Sequence, residues 1–255
     1  MQKYQAPPAA RFSPWFVVTA CLFVTCLIMA NILSGARFFT LPLDPFHLFG
    51  SDGNLSIDGG TIIFPVAYIV SDVLTEVYGY RMARVVIWIG FVCNLLAVGA
   101  IYLLSLLPDA AGAEHQLAYS TIFGLSWKIL LASFVAYLVG EFANSFVLAK
   151  MKVWTKGHYL WTRTIGSTLI GEGLDSVIFG TLAFSALLGR DALTLDGGLL
   201  VGYVLSQWLL KTLYEMLATP LTYLVVGRLK QAEQSDAYDY DTDFNPFNLS
   251  STASA

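Results

Sequence analysis

A chain of 255 residues that is 56% hydrophobic, only 13% charged and has a mean hydropathy of +0.63 is not a soluble domain, since such domains carry roughly a quarter charged residues. The formal net charge of −4 comes from acids in apolar runs, loops and the C-terminal tail. No basic patch with interleaved aromatics is present, which excludes nucleic-acid binding. Repeated apolar runs near the ~20 residues that cross a bilayer indicate an all-α integral membrane protein.

In chain order, residues 1–13 form a polar lead with Lys3 and Arg11, and residues 14–36 a first span with Asn31 and Ser34 as its polar points. A Pro-, Gly- and Asp-rich loop follows over 37–58, and its apolar piece, 38–49, reads as an interfacial or re-entrant segment. The second span is expected over 59–80 and the third over 83–107, with Asn94 near its middle. A polar loop over 108–120 carries Asp109, Glu114 and His115. The fourth span is expected over 123–149, the fifth over 164–188 and the sixth over 199–227. Residues 231–255 are acidic, then Ser-rich, a composition that cannot bury a core and predicts disorder. The division is thus a lead (1–13), a six-helix membrane domain (14–230) and a tail (231–255).

Ten of the fourteen Lys and Arg residues fall in the lead, the 2–3 and 4–5 connections and just after the sixth span. With positive residues inside, both termini are expected to be cytoplasmic. Cys21, Cys26 and Cys93 lie in apolar runs without metal-ligand spacing, so no disulfide framework, thiol nucleophile or metal site is expected. The first apolar run is too long for a signal-peptide core and should remain as a span.

The second span contains the unusual chemistry. Read as a helix, it stacks Pro65, Tyr68, Asp72, Thr75, Glu76 and Gly79 on one face. Residues 66–72 (VAYIVSD) are echoed by 135–141 (VAYLVGE), with Arg81 and Lys150 each nine residues past the acid, an internal repetition that fits a two-span unit. Further acids follow at Glu141, Glu172, Asp175 and Glu215. At ~3 kcal/mol apiece, such carboxylates would cost on the order of 18 kcal/mol if unpaired in lipid. That exceeds the ~5–15 kcal/mol of net stability typical of a domain. They are therefore expected to face one another, a base, water or a ligand. Lys211 is the one clearly intramembrane base, and Glu215 lies one turn on, at pairing distance. Glu76 and Glu172, nearer the cytoplasmic boundary, can also be read as structural ion pairs with Arg81, Arg84 or Lys150 reaching up to them.

Around the acids lie Phe64, Tyr68, Tyr137, Asn144, Gln207 and Tyr214, amides and aromatics at helical spacing from them. The tyrosines serve either core packing or stacking on a flat ring. Carboxylates accept paired N–H groups and amides both donate and accept, a combination suited to a guanine-like edge or equally to a small amine or cation. Enzyme motifs are weak. His47, His115 and His158 lie in loops or at boundaries, and no zinc-protease or P-loop motif occurs. Residues 171–175 (GEGLD) faintly resemble the Gly-Asp element of intramembrane aspartyl proteases with the wrong spacing. An intramembrane acid–base hydrolase is the alternative from another class.

Four motifs in order carry a closer likeness: FPxxY at 64–68 running into DVLTEVYG at 72–79; GEFxN at 140–144; RTxxSTxxGExxDS at 163–176; and KxxYE at 211–215, with Pro220. Together they resemble the YhhQ family of queuosine precursor transporters, grouped with vitamin-uptake-type transporters. The resemblance covers about residues 31–230. It implies uptake of 7-cyano-7-deazaguanine or its aminomethyl relative across a bacterial inner membrane by a multi-pass, six-span protein. It implies no cofactor and no catalysis. A homo-oligomer, a separate energising partner and the driving force are left open, as is import of another planar amine or nucleobase. On this reading the pocket lies between spans two, four, five and six, with its floor in the cytoplasmic half. Asp72, Glu141 and Asp175 accept N–H groups, Asn144 and Gln207 add mixed bonds, and Phe64, Tyr68, Tyr137 or Tyr214 stack on the ring. Glu76, Glu172, Lys211 and Glu215 complete the candidate set, with Lys211 and Glu215 as a switching charge pair or proton carrier.

Overall fold

The computed structural model describes residues 13–36, 38–41, 55–108, 112–124, 127–189 and 194–249. Helix α1 (Pro14–Ala36) leads into a two-stranded antiparallel hairpin, β1 (Phe38–Leu41) and β2 (Leu55–Asp58), paired from Phe38–Asp58 to Leu41–Leu55. This hairpin adds a small β element to the expected all-α fold. The remainder of the 37–58 loop, and with it most of the expected interfacial segment, lies outside the described residues. A 3₁₀ turn (Gly59–Ile62) precedes α2 (Phe64–Tyr78), followed by α3 (Tyr80–Ser105), α4 (Ala113–Phe123), α5 (Trp127–Trp154), α6 (Leu160–Phe184) and α7 (Gly197–Glu233). Among the described residues, three stretches are long and apolar enough to cross a membrane: Pro14–Ser34, Tyr80–Ser105 and Ala113–Trp154, which takes in α4 and α5.

Helix α2 is the hub. It has only fifteen residues, twelve of them buried, and packs against α1, α3, α5 and α7. Apolar residues on one side (Val70, Leu74) join α1 and α3 around Phe23, Leu27 and Ile87. Val73 and Val77 meet Leu160 and Val226 on another. A helix buried on all sides needs no amphipathic stripe, so the polar face read from the sequence points into protein, as does its opposite. The expected span over 59–80 is shorter than predicted because Pro65, which has no N–H to offer a preceding turn, sits in the first turn of α2. At its other end α2 joins α3 through Gly79 alone, at φ 81°. An L-residue is strained there.

Helices α5 and α6 form the closest pair. A Cβ on Gly171 would lie 2.7 Å from Asn144 Cβ and 3.0 Å from the Gly140 carbonyl oxygen, so the missing side chains set the helix separation. Residues 113–123, expected largely as loop, form α4, with no buried residue. The 37-residue α7 carries Pro220 in its interior, and the Thr219 hydroxyl bonds to the Glu215 carbonyl one turn back.

The tail differs most from expectation. Residues 235–249 lie across the end of the bundle where α2 turns into α3 and α5 into α6. The Tyr80 N–H donates to the buried Asp239 (3.0 Å), the Arg84 guanidinium to the carbonyls of Asp243 (2.9 Å) and Asn245 (2.6 Å), and the Trp88 indole to that of Pro246 (2.8 Å). Phe244 packs on Tyr80 and lies under the Lys150 ammonium at 4.0 Å. Composition pointed to disorder, but aromatics alternate with the acids and dock on a basic helix end.

Two changes test this architecture. Gly171→Leu should destabilise the protein in detergent by about 1–3 kcal/mol, the usual effect of overpacking, read as a lower Tm. Asp239→Ala leaves a buried N–H without its acceptor and should cost about 1–3 kcal/mol, whereas Asp241→Ala, on an exposed residue, should stay within about 0.5 kcal/mol.

Candidate functional site

The polar side chains form a column through the bundle, in three layers. At the tail end, Glu76 is fully buried and receives Arg163 in two-pronged fashion, Nε to Oε2 at 2.8 Å and Nη2 to Oε1 at 2.7 Å. Lys230 adds a contact at 2.6 Å and Lys152 one at 3.5 Å. Planar guanidinium against carboxylate is the strongest geometry for such a pair. Lys152 and Lys230 also hold Asp236 of the tail, at 2.5 and 2.8 Å. Burial works against the Asp236 charge, but hydrogen bonds from Lys152 and Lys230 outweigh it and hold the carboxyl below its ordinary range. Its contribution to tail docking is therefore present at neutral pH and is lost as pH falls through that lowered value.

The middle layer joins α2 to α5 through three cross-helix bonds that climb both helices in the same direction: Ser71 to Glu141 (2.6 Å), Asn144 to Asp72 (2.7 Å) and Thr75 to Ser145 (3.1 Å). The echoed segments thus run side by side, with Asp72 and Glu141 at matching depth. Glu215 of α7 faces Asp72 and the Thr168 hydroxyl. Several buried atoms here have no hydrogen-bond partner among the described residues: Asp72 Oδ2, both Glu215 carboxyl oxygens, Tyr68 Oη, Asn144 Oδ1 and Thr168 Oγ1. Buried polar groups are nearly always satisfied, so this concentration marks a chamber suited to an occupant.

One turn further out, Lys211 lies between two acids of α6, 2.7 Å from Asp175 and 3.1 Å from Glu172, with its ammonium 4.1 Å from the Phe64 ring centre. Above it opens a cleft of about 60 Å³ between α1, the 3₁₀ turn, α2, α5, α6 and α7, whose polar lining includes Asn31, Asp175, Gln207 and Lys211. Gln207 accepts from Thr61 at 3.4 Å, while its Nε2 has no partner among the described residues. Because a water needs ~10–15 Å³ by the same measure, the cleft has room for a few waters and must widen for a ring-sized solute. A larger cavity of about 370 Å³ between α1, α3, α4 and α5 has no charged side chain in its lining.

The expected site residues therefore separate. Phe64, Tyr137, Asp175, Gln207 and Lys211 line the cleft. Tyr68, Asp72, Glu141, Asn144, Glu172 and Glu215 are buried beneath it. Three expectations change. Lys211 pairs with Asp175 and Glu172 rather than with Glu215, because carboxylates on the neighbouring helix approach it more directly than one on its own. Glu76 is locked by Arg163, Lys152 and Lys230, while Arg84 and Lys150, two of the three bases expected to reach it or Glu172, hold the tail instead. Tyr214 is 42% exposed on the outer side of α7, away from the column. The Tyr137 hydroxyl is engaged by the Ile87 carbonyl at 2.9 Å, leaving only its ring for the cleft. The opening also lies in the half of the bundle away from the tail and includes α1, whose Asn31 bonds with Ser133 at 2.7 Å. Asn31 was visible as a polar point in an apolar helix, but nothing in the sequence tied it to the acids.

The family model described as "Putative vitamin uptake transporter" matches residues 58–225, which hold all the acids and bases of the column except Lys230 and Asp236. A protein of Bacillus subtilis (strain 168) named "Probable queuosine precursor transporter" is 25% identical over 190 residues, 74% of this chain and 78% of the relative. One of Haemophilus influenzae with the same name is 28% identical over 130 residues, 49% of this chain and 51% of the relative. No solved structure matches. A matched segment covering about two thirds of the sequence, with the charged column inside it, makes this chain a member of the vitamin uptake transporter family and a multi-pass membrane protein.

Proposed function

We propose that this transporter imports 7-deazaguanine precursors of queuosine across the bacterial inner membrane. In this reading α1, α2, α3, α5, α6 and α7 are the six spans and both termini face the cytoplasm. Orientation is supported by the charge at the tail end, where Arg81, Arg84, Lys150, Lys152, Lys156, Arg163, Arg228 and Lys230 gather near the ends of helices. The substrate class is supported by the relatives' printed names and by the chemistry of the cleft floor.

The observation that carries the reading is Lys211 set between Asp175 and Glu172 beneath an aromatic ring, at the bottom of a cleft. A deazaguanine edge presents adjacent N–H donors next to a carbonyl. A carboxylate such as Asp175 accepts the paired N–H groups, and the ammonium beside it meets the carbonyl oxygen. Phe64 offers a face for the ring, and the Gln207 amide group without a partner meets a ring nitrogen or the nitrile. Solute thereby replaces part of the existing ion pair, which suits reversible binding.

The test is restoration of queuosine-modified tRNA in a strain that depends on external precursor. Asp175→Asn, Glu141→Gln and Lys211→Met should each reduce it by at least about tenfold, the loss of one charge-assisted hydrogen bond, with the protein still present in the membrane. Leu217→Ala, at an exposed position on α7, should leave it unchanged. Normal restoration by all three charge variants would remove the binding assignment.

A further inference from the structure

We propose that Asp72 and Glu215 form a proton-carrying site separate from the solute layer, so that inward proton movement drives accumulation. This rests on the importer reading but gives Asp72, which the sequence assigned to the solute, and Glu215 a task separate from that of the cleft floor. Asp72 from α2 and Glu215 from α7 face each other, with 0% and 2% of their surfaces exposed. Asp72 Oδ2 and both Glu215 oxygens make no hydrogen bond of ordinary geometry among the described residues, the Thr168 hydroxyl facing Glu215 without closing one. Two carboxylates that face each other away from water repel when both are charged. One proton between them converts repulsion into an O–H···O bond, the arrangement of a carboxyl dyad.

Independent groups point into the same space. The Tyr68 and Thr168 hydroxyls, 0% and 1% exposed, have no partner among the described residues, and the Asn144 carbonyl oxygen is likewise open. The titratable groups facing the pair are Tyr68 from α2, Glu141 from α5 and Glu172 from α6, with Asp175 of α6 and Lys211 of α7 paired to each other one turn outward. Lys211 does not neutralise the dyad, because Asp175 and Glu172 hold it one turn outward. Arg163, Lys152 and Lys230 do not either, because they hold Glu76 one turn inward. The pair therefore sits between an inner layer with three bases for two acids and an outer layer with one ammonium for two carboxylates, with no base of its own, and an added proton is the smallest cation that fits. The step is simple: a proton leaves cleft water, forms one O–H bond at the pair, and returns to cytoplasmic water when the inner end opens.

Purified full-length protein in detergent provides a readout free of solute. Infrared spectra of the wild type should contain a protonated-carboxyl stretch that titrates with pH, and Asp72→Asn and Glu215→Gln should each remove it. Absence of that band in the wild type, or its persistence in both variants, overturns the proton site. In proteoliposomes with labelled 7-cyano-7-deazaguanine as probe, an inward acid gradient of one pH unit should raise the steady-state inside-to-outside ratio by up to about tenfold, for one proton per neutral solute. Whatever uptake the two variants retain should not respond to the gradient. Accumulation driven by sodium without a pH gradient, or wild-type uptake indifferent to pH, also overturns the proposal. If the wild type moves no probe, the import reading fails, while the infrared result still decides the proton site.

Discussion

A carboxylate cannot remain charged and alone inside a bundle of apolar helices, and Glu76 shows how that constraint organises the molecule. Its partners come from three other elements: Lys152 from α5, Arg163 from α6 and Lys230 from α7. Removing one partner from a buried pair typically costs 3–5 kcal/mol, roughly because the remaining charge is stranded. The four helices must therefore meet at one point, and they meet around α2, the shortest of the long bundle helices and the most enclosed. The tail is drawn to the same point because Asp236 shares two of the same lysines.

From that fixed point outward the column becomes progressively less settled. The inner layer has more bases than acids. The middle layer, with Asp72, Glu141 and Glu215, has no base of its own, and hydroxyls and an amide supply what donors there are. The outer layer balances one ammonium against two carboxylates beside a cleft. The inner layer is tied by ion pairs, the middle layer holds most of the column's unpartnered buried atoms, and the cleft opens at the outer one. Pro220 lies in α7 between Glu215 and Lys230, so the backbone ladder is interrupted where α7 passes from the open layer to the closed one.

Burial of the charged residues was more legible in the sequence than their pairing. The limits of α1 coincide with its apolar run, and the echoed residues 66–72 and 135–141 lie side by side on α2 and α5. Burial of the carboxylates followed from their cost in lipid. Pairing did not follow, because an i, i+4 relation such as Lys211–Glu215 says two groups share a face and nothing about what a neighbouring helix brings to it. The start of α2 was misjudged by following the apolar run through Gly60 and Thr61, although Pro65 marked it. The tail was misjudged by counting acids and passing over Phe244, Tyr238 and the bases waiting across the bundle end.

Glu76 also bears on how the protein is made. Its partner Arg163 is synthesised 87 residues later and Lys230 154 residues later. At fifteen residues, α2 is shorter than the ~20 needed to cross a bilayer alone, and each of its charges would cost about 2.5–3.5 kcal/mol in lipid. During translation, then, α2 has no stable berth of its own. Its charge partners on α5, α6 and α7 all come later in the chain, so the enclosure of Glu76 is complete only once the last helix is made.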